Sequence, residues 1–383
     1  MNTLGVALVG HAFMGAVHSQ AWRTVGRVFD LPMRPERAVL CGRRKDAARE
    51  AAARFGWTES TDDWKSVLVR DDVHLVDICT PGDSHAEIAI SALDAGKHVL
   101  CEKPLANSVA EAAAMEEAAS RARRNGILTM VGFNYRRVPA LALARSLIAA
   151  GRIGTARHVR ASYLQDWLVD PHAPINWRLR AERAGSGALG DLGAHLVDLA
   201  HYLLDEDVVS VSGALETFVA ERPLPDEPGR AGPVTVDDAA LFTARFRGGA
   251  LGTFEATRYA SGRKNGLRIE INGSAGSLAF DFESMNELSF HDAGEPAETA
   301  GFRRILATEP GHPYLEAWYP PGHVLGYEHT FVHELRDFVT AIAERGAPAP
   351  DFAAGLRVQR VLDAVQRSAA HHSRWMPVSE GES

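Results

Sequence analysis

Short apolar runs separated by helical patterns are the feature that most constrains how the first third of this chain can fold. The apolar runs occupy residues 4–9, 38–41, 75–79, 98–101 and 129–133, and the helical patterns occupy residues 14–25, 46–55, 85–95 and 109–125. Strands that alternate with helices in this way form βαβ units and a parallel sheet. Because the runs are continuously apolar, helices must cover both faces of that sheet. We therefore predict an α/β domain with a doubly wound parallel sheet over residues 1–134.

The pattern changes after residue 134. Helical patterns occupy residues 141–150, 185–204, 331–344 and 355–371, and segments of alternating polarity occupy residues 209–217, 239–246, 249–256, 267–272 and 277–282. Glycines at 248–249 and at 273 and 276 lie between paired segments and predict hairpin turns. We predict a second, α+β domain over residues 135–383 with an open, mainly antiparallel sheet. Its C-terminal helix is free to pack back on the first domain, and the Pro- and Gly-rich segment 221–235 is predicted to be a mobile loop.

Composition narrows the class of protein. A length of 383 residues suits two domains. Lys and Arg number 41 against 49 Asp and Glu, and this net charge of -8 argues against a nucleic-acid-binding protein. Three cysteines without a C-x-x-C pair fit a reducing compartment. With no basic leader and no apolar run near the ~20 residues of a membrane helix, we expect a cytoplasmic protein without membrane association.

A glycine turn follows the first predicted strand. The sequence Gly10-His11-Ala12-Phe13-Met14-Gly15 reads G-x-A-x-x-G, one residue from the dinucleotide-binding fingerprint. In that fingerprint the glycines permit a tight turn, and the pyrophosphate lies on the free N–H groups at the helix N-terminus. We predict that Gly10, Ala12, Phe13, Met14 and Gly15 contact a dinucleotide. The alternative is an ordinary strand–helix turn.

The end of the second strand bears on which dinucleotide is bound. The fingerprint expects an acid there to bind the ribose, but the chain has Cys41-Gly42-Arg43-Arg44. Arginine side chains bind phosphate through paired hydrogen bonds. Arg43 and Arg44 therefore favour NADP over NAD, unless they are simply exposed arginines at the start of a helix.

Two segments carry candidate catalytic groups. Lys103 follows the fourth strand, at the sheet edge where ligands of doubly wound folds bind. Asp191, His195 and Asp198 are four and three residues apart, which places them on one face of a helix. A histidine beside carboxylates can act as a general base near neutral pH. The alternatives are a polar helix face with ordinary hydrogen bonds, or a zinc site; no Cys or second His has the spacing of a zinc ligand, so we predict no metal.

Aromatic and basic side chains lie near the start of the second predicted domain. They occur in the segments Gln165-Asp166-Trp167 and Asn176-Trp177-Arg178. Trp167, Trp177 and Arg178 suit stacking and hydrogen bonding against a sugar ring, although tryptophans are equally good core residues.

Taken together, these motifs resemble the Gfo/Idh/MocA oxidoreductase family. The residues that carry the resemblance are 10–15, 80–81 with His85, 102–104, 132–136 and 191–195, which occur in the family's order along nearly the whole chain. The stretches 163–167 and 185–191 are most similar to its levoglucosan and inositol dehydrogenase branches. The resemblance implies an N-terminal Rossmann domain and a C-terminal domain whose open antiparallel sheet commonly mediates homodimers or homotetramers.

The resemblance also implies roles for individual residues. Lys103 matches the lysine of the E-K-P motif, Asp191 and His195 match the D-x-x-x-H pair, and Asp198 matches an acid of inositol dehydrogenases. His195 would take the hydroxyl proton, Lys103 would stabilise the developing alkoxide, and Asp191 would orient the substrate. The further residues implied to bind the cofactor are Thr80, Pro81, His85, Glu102, Lys103 and Asn134, and Tyr135 is implied to contact substrate. The chain departs from the family pattern at Ala12, Gly42 and Gly82.

The sequence thus predicts an NAD(P)-dependent dehydrogenase that transfers hydride between nicotinamide and a hydroxyl-bearing carbon of a sugar, anhydrosugar or cyclitol. One alternative is a redox-neutral, NAD-dependent glycoside hydrolase of the same fold, which would use the same lysine and histidine. The other is a non-catalytic protein that senses dinucleotides. A small carbohydrate or polyol is the expected partner, and neither nucleic acid nor membrane is expected.

Overall fold

The computed structural model describes residues 2–378 and divides into two compact units. The first unit contains the residues up to Arg137 together with Leu325–Leu356. The second unit contains Val138–Val324 and the residues from Arg357 onward. The first unit is therefore built from two separate stretches of the chain.

The first unit contains a six-stranded parallel sheet with helices between its strands. Its strands are β1 (Asn2–Val9), β2 (Met33–Cys41), β3 (Glu59–Thr61), β4 (Leu75–Ile78), β5 (His98–Cys101) and β6 (Thr129–Val131). The helices between them are α1 (Phe13–Val28), α2 (Lys45–Phe55), α3 (Trp64–Leu68), α4 (His85–Asp94) and α5 (Val109–Arg123). The sheet order β3-β2-β1-β4-β5-β6 confirms the predicted doubly wound fold. Only β3 and α3, both very short, were not predicted.

The order of the strands fixes where a ligand can bind in the first unit. Strand β1 pairs with β2 on one side and with β4 on the other, both in parallel. The connections on its two sides run in opposite directions, and the crevice at the carboxyl ends of such strands is the binding site of doubly wound folds. The loops after β1, β2, β4 and β5 all meet this edge.

The remaining elements belong mainly to the second unit. In chain order they are α6 (Pro139–Ala149), β7 (Ala156–Leu164), α7 (Ala181–Ala184), α8 (Ala194–Leu204), β8 (Val208–Glu216), β9 (Glu221–Pro223), β10 (Ala231–Pro233), β11 (Ala239–Phe246), β12 (Leu251–Thr257), β13 (Gly266–Gly273), β14 (Gly276–Asp281), β15 (Glu287–Asp292), β16 (Arg303–Leu306), α9 (Tyr327–Glu344), α10 (Phe352–Ala370) and β17 (Met376–Pro377). Helix α9 lies in the first unit, where it packs on α1.

The second unit contains a nine-stranded, mostly antiparallel sheet, as the alternating segments predicted. Its order is β16-β15-β14-β13-β7-β12-β11-β8-β17. The predicted hairpins β11–β12 and β13–β14 are both present. At the centre, however, β7 and β12 run parallel. A long connection containing α8 separates β7 from the later hairpin, so the two strands need not run in opposite directions.

Two other segments differ from the sequence prediction. The segment 221–235 is not simply a mobile loop, because β9 and β10 pair within it as an antiparallel ladder. The predicted helix over 185–204 is not one regular α-helix, because Leu189–Gly193 forms a π-helical turn before α8 begins. Within residues 2–378, no helix is both long enough and apolar enough to span a membrane.

Candidate active site

The glycine turn after β1 has a backbone that only glycine fits. Gly10 has a φ of +102°, and a Cβ there would lie 2.7 Å from the carbonyl oxygen of Cys79. A Cβ on Gly15 would lie 2.1 Å from the carbonyl oxygen of Gly10. The Gly10 N–H donates to the carbonyl oxygen of Cys41 at 2.9 Å. These contacts hold the turn tightly against the ends of β2 and β4.

Helix α1 starts directly after this turn and suits an anionic group. Ala12 occupies its N-cap position and supplies no side-chain hydrogen bond to the first turn of the helix. The N–H groups of that turn therefore have no capping side chain, which is the arrangement that binds phosphate at a helix N-terminus. Phe13 begins the helix and is 64% exposed. The turn and the helix N-terminus together fit the pyrophosphate of a dinucleotide.

The end of β2 is shaped around a histidine of the glycine turn. Gly42 is buried, and a Cβ there would lie 2.2 Å from the imidazole carbon Cδ2 of His11. A carboxylate side chain at position 42 would therefore have to displace His11. Arg43 and Arg44 follow with exposed side chains. The edge where an acid would bind the ribose thus presents an imidazole and two cations.

The loops after β4 and β5 are tied together by His85. One ring nitrogen, Nε2, lies 2.9 Å from the carbonyl oxygen of Thr80, and the other, Nδ1, lies 3.1 Å from that of Pro104. The hydroxyl of Ser84 donates to Oγ1 of Thr80 at 2.8 Å. His85 is buried, so its ring fixes the loop that carries Lys103 to the loop that begins with Thr80 and Pro81. Its predicted contact with the cofactor stays a prediction.

Glu102 and Asn134 form side-chain hydrogen bonds within the first unit. The carboxylate of Glu102 lies 3.0 Å from Nε2 of His18 and accepts the Lys103 backbone N–H at 3.2 Å. Nδ2 of Asn134 donates to Oγ1 of Thr330 on α9 at 2.8 Å. Tyr135 is buried in the same turn, with its ring centroid 6.3 Å from that of Tyr327. Asn134 and Tyr135 thus anchor the turn after β6 to α9.

In the second unit, an unusual helix start positions the D-x-x-x-H segment. A Cβ on Gly187 would lie only 1.7 Å from the carbonyl oxygen of Asp237. The Asp237 carboxylate accepts the backbone N–H groups of Gly187 and Leu189, each at 2.7 Å. Burial raises the pKa of Asp237, and these two hydrogen bonds partly oppose the rise. The π-helical turn that follows carries Asp191.

His195 lies one turn further, at the start of α8, and is only 6% exposed. Its ring centroid is 6.0 Å from that of Tyr163 on β7. The Tyr163 hydroxyl and the Gln165 amide both donate to Oδ1 of Asn265, at 2.7 and 2.8 Å. Trp167 Nε1 donates to Gln165 Oε1 at 3.0 Å. Hydrogen-bonding side chains thus continue from the histidine along the end of β7. Asp198 lies on α8 and is buried.

Arg258 is a member of this cluster that the sequence analysis missed. Its side chain is 1% exposed, and Nη2 donates to the Gly187 carbonyl oxygen at 2.8 Å and to Asp191 Oδ2 at 3.2 Å. Its guanidinium carbon lies 5.3 Å from the centre of the Trp167 ring. Nε and Nη1 are buried and have no hydrogen-bond partner among residues 2–378. Two donor nitrogens of a buried cation therefore remain for a ligand or water.

Arg178 lies within electrostatic range of both Asp191 and Arg258. Its guanidinium carbon lies 4.4 Å from the centre of the Trp177 ring, and its backbone N–H is capped by Asn176 Oδ1 at 2.9 Å. Burial lowers the pKa of Arg178, the charge of Asp191 raises it, and the charge of Arg258 lowers it. Asp191 is therefore influenced by two arginines from different segments. Trp177 and Trp167 each stack on one of them.

Arg222 anchors the segment that carries Trp167, Trp177 and Arg178. This side chain is completely buried and donates to the carbonyl oxygens of Leu168 and Asp170, both at 2.7 Å. A small apolar cluster lies beside it and consists of Leu168, Ile175, Leu179, Val234 and Val236. The ladder formed by β9 and β10 thus supports the predicted substrate-binding residues.

The described residues contain one group whose atoms could share a metal ion, and it lies outside the D-x-x-x-H cluster. The ligand atoms of His18, Asp77 and Cys79 all lie within 4.8 Å of one another. Nδ1 of His18 already lies 2.9 Å from a carboxylate oxygen of Asp77, and Sγ of Cys79 lies 3.6 Å from the other. This arrangement is accounted for by hydrogen bonds. The predicted absence of a metal stays a prediction.

Comparison with known proteins covers both units. A profile described as the NAD-binding Rossmann fold of an oxidoreductase family matches residues 4–133, and a profile of the GFO/IDH/MocA C-terminal domain matches residues 141–279. The chain belongs to the GFO/IDH/MocA oxidoreductase family. This confirms the resemblance predicted from the motifs.

Within the GFO/IDH/MocA family, the chain is similar to levoglucosan dehydrogenase of Pseudarthrobacter phenanthrenivorans, with 44% identity over 99% of both chains. A crystal structure of an oxidoreductase domain protein from Kribbella flavida has 64% identity and a TM-score of 0.97, covering 99% of this chain and 100% of that one. A levoglucosan dehydrogenase structure in complex with NADH and levoglucosan has 44% identity and a TM-score of 0.95, with the same coverage. This GFO/IDH/MocA protein is therefore an NAD-binding oxidoreductase; the predicted oxidoreductase class is confirmed, whereas the predicted preference for NADP is not supported.

Proposed function

We propose that this protein oxidises a ring hydroxyl of an anhydrosugar or a related sugar, with a nicotinamide dinucleotide as the hydride acceptor. The observation that carries the proposal is the ion pair of the half-buried Asp191 with the buried Arg258, with the buried His195 one turn further along the helix. Its support is the end-to-end similarity to levoglucosan dehydrogenase. We further propose that residues 1–134 bind the dinucleotide and residues 135–383 bind the substrate.

The residues of the first unit fit the proposed cofactor. The turn at Gly10–Gly15 has room only for backbone beside the ends of the strands, and the start of α1 offers N–H donors without a side-chain cap. When bound, the nicotinamide exchanges hydride with the hydroxyl-bearing carbon. The protein's own groups must then bind the hydroxyl, remove its proton and exclude water.

His195 is the proposed general base. Its near-complete burial and its neighbour Tyr163 keep water away from the ring. Asp191 is proposed to orient the hydroxyl and to stabilise the imidazolium after the proton has been taken up. Arg258 holds that carboxylate through a charge-assisted hydrogen bond. Lys103 is proposed to stabilise the alkoxide as it develops.

The proposed substrate contacts combine stacking surfaces with hydrogen-bond donors. Trp167 and Trp177 each lie beside an arginine, so each indole is held in place from one side. Sugars present apolar C–H faces for such rings and hydroxyl groups for arginine donors. We propose Trp167, Trp177, Arg178 and Asp198 as substrate contacts. Tyr135 stays a proposed contact, although its ring packs near Tyr327.

We propose NAD as the principal cofactor, because the 44% identical levoglucosan dehydrogenase has been crystallised with NADH. The exposed side chains of Arg43 and Arg44 support additional use of NADP, since two cations at the end of β2 suit a ribose phosphate. The NADP preference inferred from the sequence is therefore reduced here to a proposal of dual use. A cytoplasmic location remains proposed on the basis of three free, buried cysteines.

We also propose a homodimer or homotetramer formed through the outer face of the second unit's sheet. Along β11 and β12 the buried residues alternate with exposed ones, so one face of the sheet is open. Leu241 and Leu251 on that face are 53% and 44% exposed. Arg160 and Glu270 form an ion pair on the same face. An apolar surface with paired charges is suited to a second copy of the chain.

The first test is absorbance at 340 nm with NAD or NADP and a panel of levoglucosan, L-sorbose, glucose and inositols. We expect reduction of the cofactor with levoglucosan or a close relative. Lys103→Ala and His195→Ala should each lower kcat on the order of 100-fold or more, whereas the surface variant Lys65→Ala should not. Cleavage of a glycoside without net cofactor reduction would instead support the hydrolase. Dinucleotide binding without turnover on any substrate would support the sensor.

A further inference from the structure

A continuous chain of buried polar groups links α1 to the loop that carries Lys103. Trp22 Nε1 donates to Asp77 Oδ2 at 2.7 Å, and His18 Nδ1 lies 2.9 Å from the same oxygen. His18 Nε2 lies 3.0 Å from Glu102 Oε1. Glu102 Oε2 accepts the backbone N–H of Lys103 at 3.2 Å. His18, Asp77 and Glu102 are 1%, 0% and 4% exposed, so solvent does not replace these bonds.

The geometry determines the charge of the central histidine. Carboxylate oxygens only accept hydrogen bonds when ionised, and a neutral imidazole carries only one N–H. Both nitrogens of His18 lie against carboxylate oxygens, and this arrangement suits an imidazolium that donates on both sides. Burial is the largest single influence and lowers the pKa of His18, but the charges and hydrogen bonds of Asp77 and Cys79 together outweigh it and raise that pKa well above its ordinary value. One cation thus separates two buried acids that would otherwise repel.

The groups packed around this chain come from the end of β4 and from α9. The Cys79 thiol donates to Asp77 Oδ1 at 3.6 Å. On α9, the centroid of the Phe331 ring lies 5.5 Å from that of His18; Glu334 on the same helix is buried, and Tyr327 is half-buried. Burial raises the pKa of Glu334 to about 8, so this third acid is mostly protonated at neutral pH. Arg137 lies within electrostatic range of Glu334 and is engaged by Asp337.

We propose that His18 is a positioning residue that couples the dinucleotide-binding turn to Lys103. It lies on α1, directly after the glycine turn, and its ring holds Glu102, which in turn holds the backbone of the next residue, Lys103. Any displacement of α1 is thereby transmitted to the lysine through one imidazolium. The proposal rests on the proposed function, because Lys103 is there assigned to the developing alkoxide.

The test is a double-mutant cycle of His18→Gln and Glu102→Gln, measured as kcat under saturating cofactor and substrate. Each variant should lower kcat on the order of 10- to 100-fold, because small displacements of a catalytic group have effects of this size. The double variant should be no worse than the poorer single variant, since both remove one bond. Trp22→Phe, which removes only the outer hydrogen bond to Asp77, should lower kcat less than about threefold.

Binding and folding are measured on the same variants. The Kd of His18→Gln for NADH, from fluorescence titration, should stay within a few-fold, and the kcat of every variant is expressed per folded, NADH-binding site. A merely structural role would lower Tm and the folded fraction but leave kcat per site unchanged, and that result overturns the proposal. Additive losses in the double variant overturn it as well.

Two further measurements separate this proposal from its premise. If Lys103→Ala retains full turnover, the proposed function fails; if it is inactive while both His18→Gln and Glu102→Gln are fully active, only the present proposal fails. Imidazole ¹⁵N NMR of the wild-type protein at pH 8 should show two protonated nitrogens for His18. The signal is assigned by its loss in His18→Gln or, if that variant does not fold, by its shift in Glu102→Gln. A His18 ring with only one protonated nitrogen overturns the proposal.

Discussion

Nη2 of Arg258 lies 3.2 Å from Oδ2 of Asp191, while the same nitrogen donates to the carbonyl oxygen of Gly187. One buried guanidinium therefore fixes both the proposed catalytic carboxylate and the start of the helix that carries it. Removal of the guanidinium would leave the carboxylate without this charge-assisted bond, and the carbonyl oxygen would keep only the Asp191 N–H, at 3.0 Å.

Arg258→Lys keeps the charge but loses the planar fork, so we expect kcat/KM to fall about 10-fold; Arg258→Met should lower it on the order of 100- to 1000-fold. Steady-state kinetics on the best substrate measure both. The effects of Arg258→Met and Asp191→Asn should be strongly non-additive, because the two groups act through one bond. Independent losses would contradict the coupling, and the exposed Arg34→Met serves as a control.

Gly187→Ala should lower both activity and stability, although glycine has no side chain that could take part in the reaction. The added Cβ would lie 1.7 Å from the Asp237 carbonyl oxygen, so the backbone of the helix start must move. We expect kcat to fall on the order of 100-fold and the protein to lose about 3 kcal/mol of stability. Kinetics and denaturant unfolding measure the two effects. Gly301→Ala has no atom within 4 Å of the new Cβ and should change neither.

Glu334 should make stability depend on pH in an identifiable window. Burial raises its pKa from 4.5 to about 8, so the folded state binds a proton that the unfolded state has already released between these values. Stability from this group is therefore fully present below pH 4.5 and declines as the pH rises to about 8. Chemical unfolding at pH 5.5 and pH 8.5 measures this decline.

Glu334→Gln keeps the shape and removes the titration, so the variant should gain stability relative to wild type at pH 8.5 more than at pH 5.5. One pKa unit corresponds to about 1.4 kcal/mol, and we expect a difference of about 3 kcal/mol. The exposed Glu50→Gln should behave like wild type. Parallel pH profiles for wild type and Glu334→Gln would refute this assignment.

The double substitution of Arg43 and Arg44 by alanine tests cofactor choice. If these side chains bind a ribose phosphate, kcat/KM for NADP should fall about 10- to 100-fold while that for NAD changes less than about threefold. Arg49→Ala, on α2 and paired with Asp46, is the matched control. Equal losses of kcat/KM with NAD and NADP would mean that the two arginines do not bind the ribose phosphate.

Leu241→Glu tests the proposed homo-oligomer. Two copies of the open sheet face would bring new negative charges into an apolar contact, so the mass in solution should shift towards the monomer. Light scattering after size-exclusion chromatography measures this shift. Val69→Glu places the same charge at an 83% exposed site in the first unit and should leave the mass unchanged. A wild-type protein that is already monomeric would rule the assembly out.

The sequence predicted the elements whose patterns are local. Continuous apolar strands such as β4 and β5 and the spacing of Asp191 and His195 depend on periodicity alone, and the structure contains them with shifts of one to a few residues. The glycine turn was equally readable, because Gly10 and Gly15 are required by contacts with atoms of the adjoining strands.

The residues missed depend on contacts between distant segments. Arg258 is 67 residues from Asp191 in sequence, and an arginine after a strand resembles any surface cation. The parallel pairing of β7 with β12 has no local signature either. One signal was present but unused: Asp77 interrupts a buried apolar strand, and an acid there requires a partner. That partner is His18, on the helix after the glycine turn.

The split composition of the first unit has a consequence for biosynthesis. Helix α9 packs on α1 and covers His18 with Phe331, yet almost 190 residues of the second unit are translated between Arg137 and Leu325. During translation, the apolar surface of α1 therefore stays uncovered until α9 has left the ribosome. A fragment ended by a stop codon after Arg137 would keep that surface exposed permanently. The first unit is therefore complete only after residues 325–356 have been synthesised, long after its first stretch.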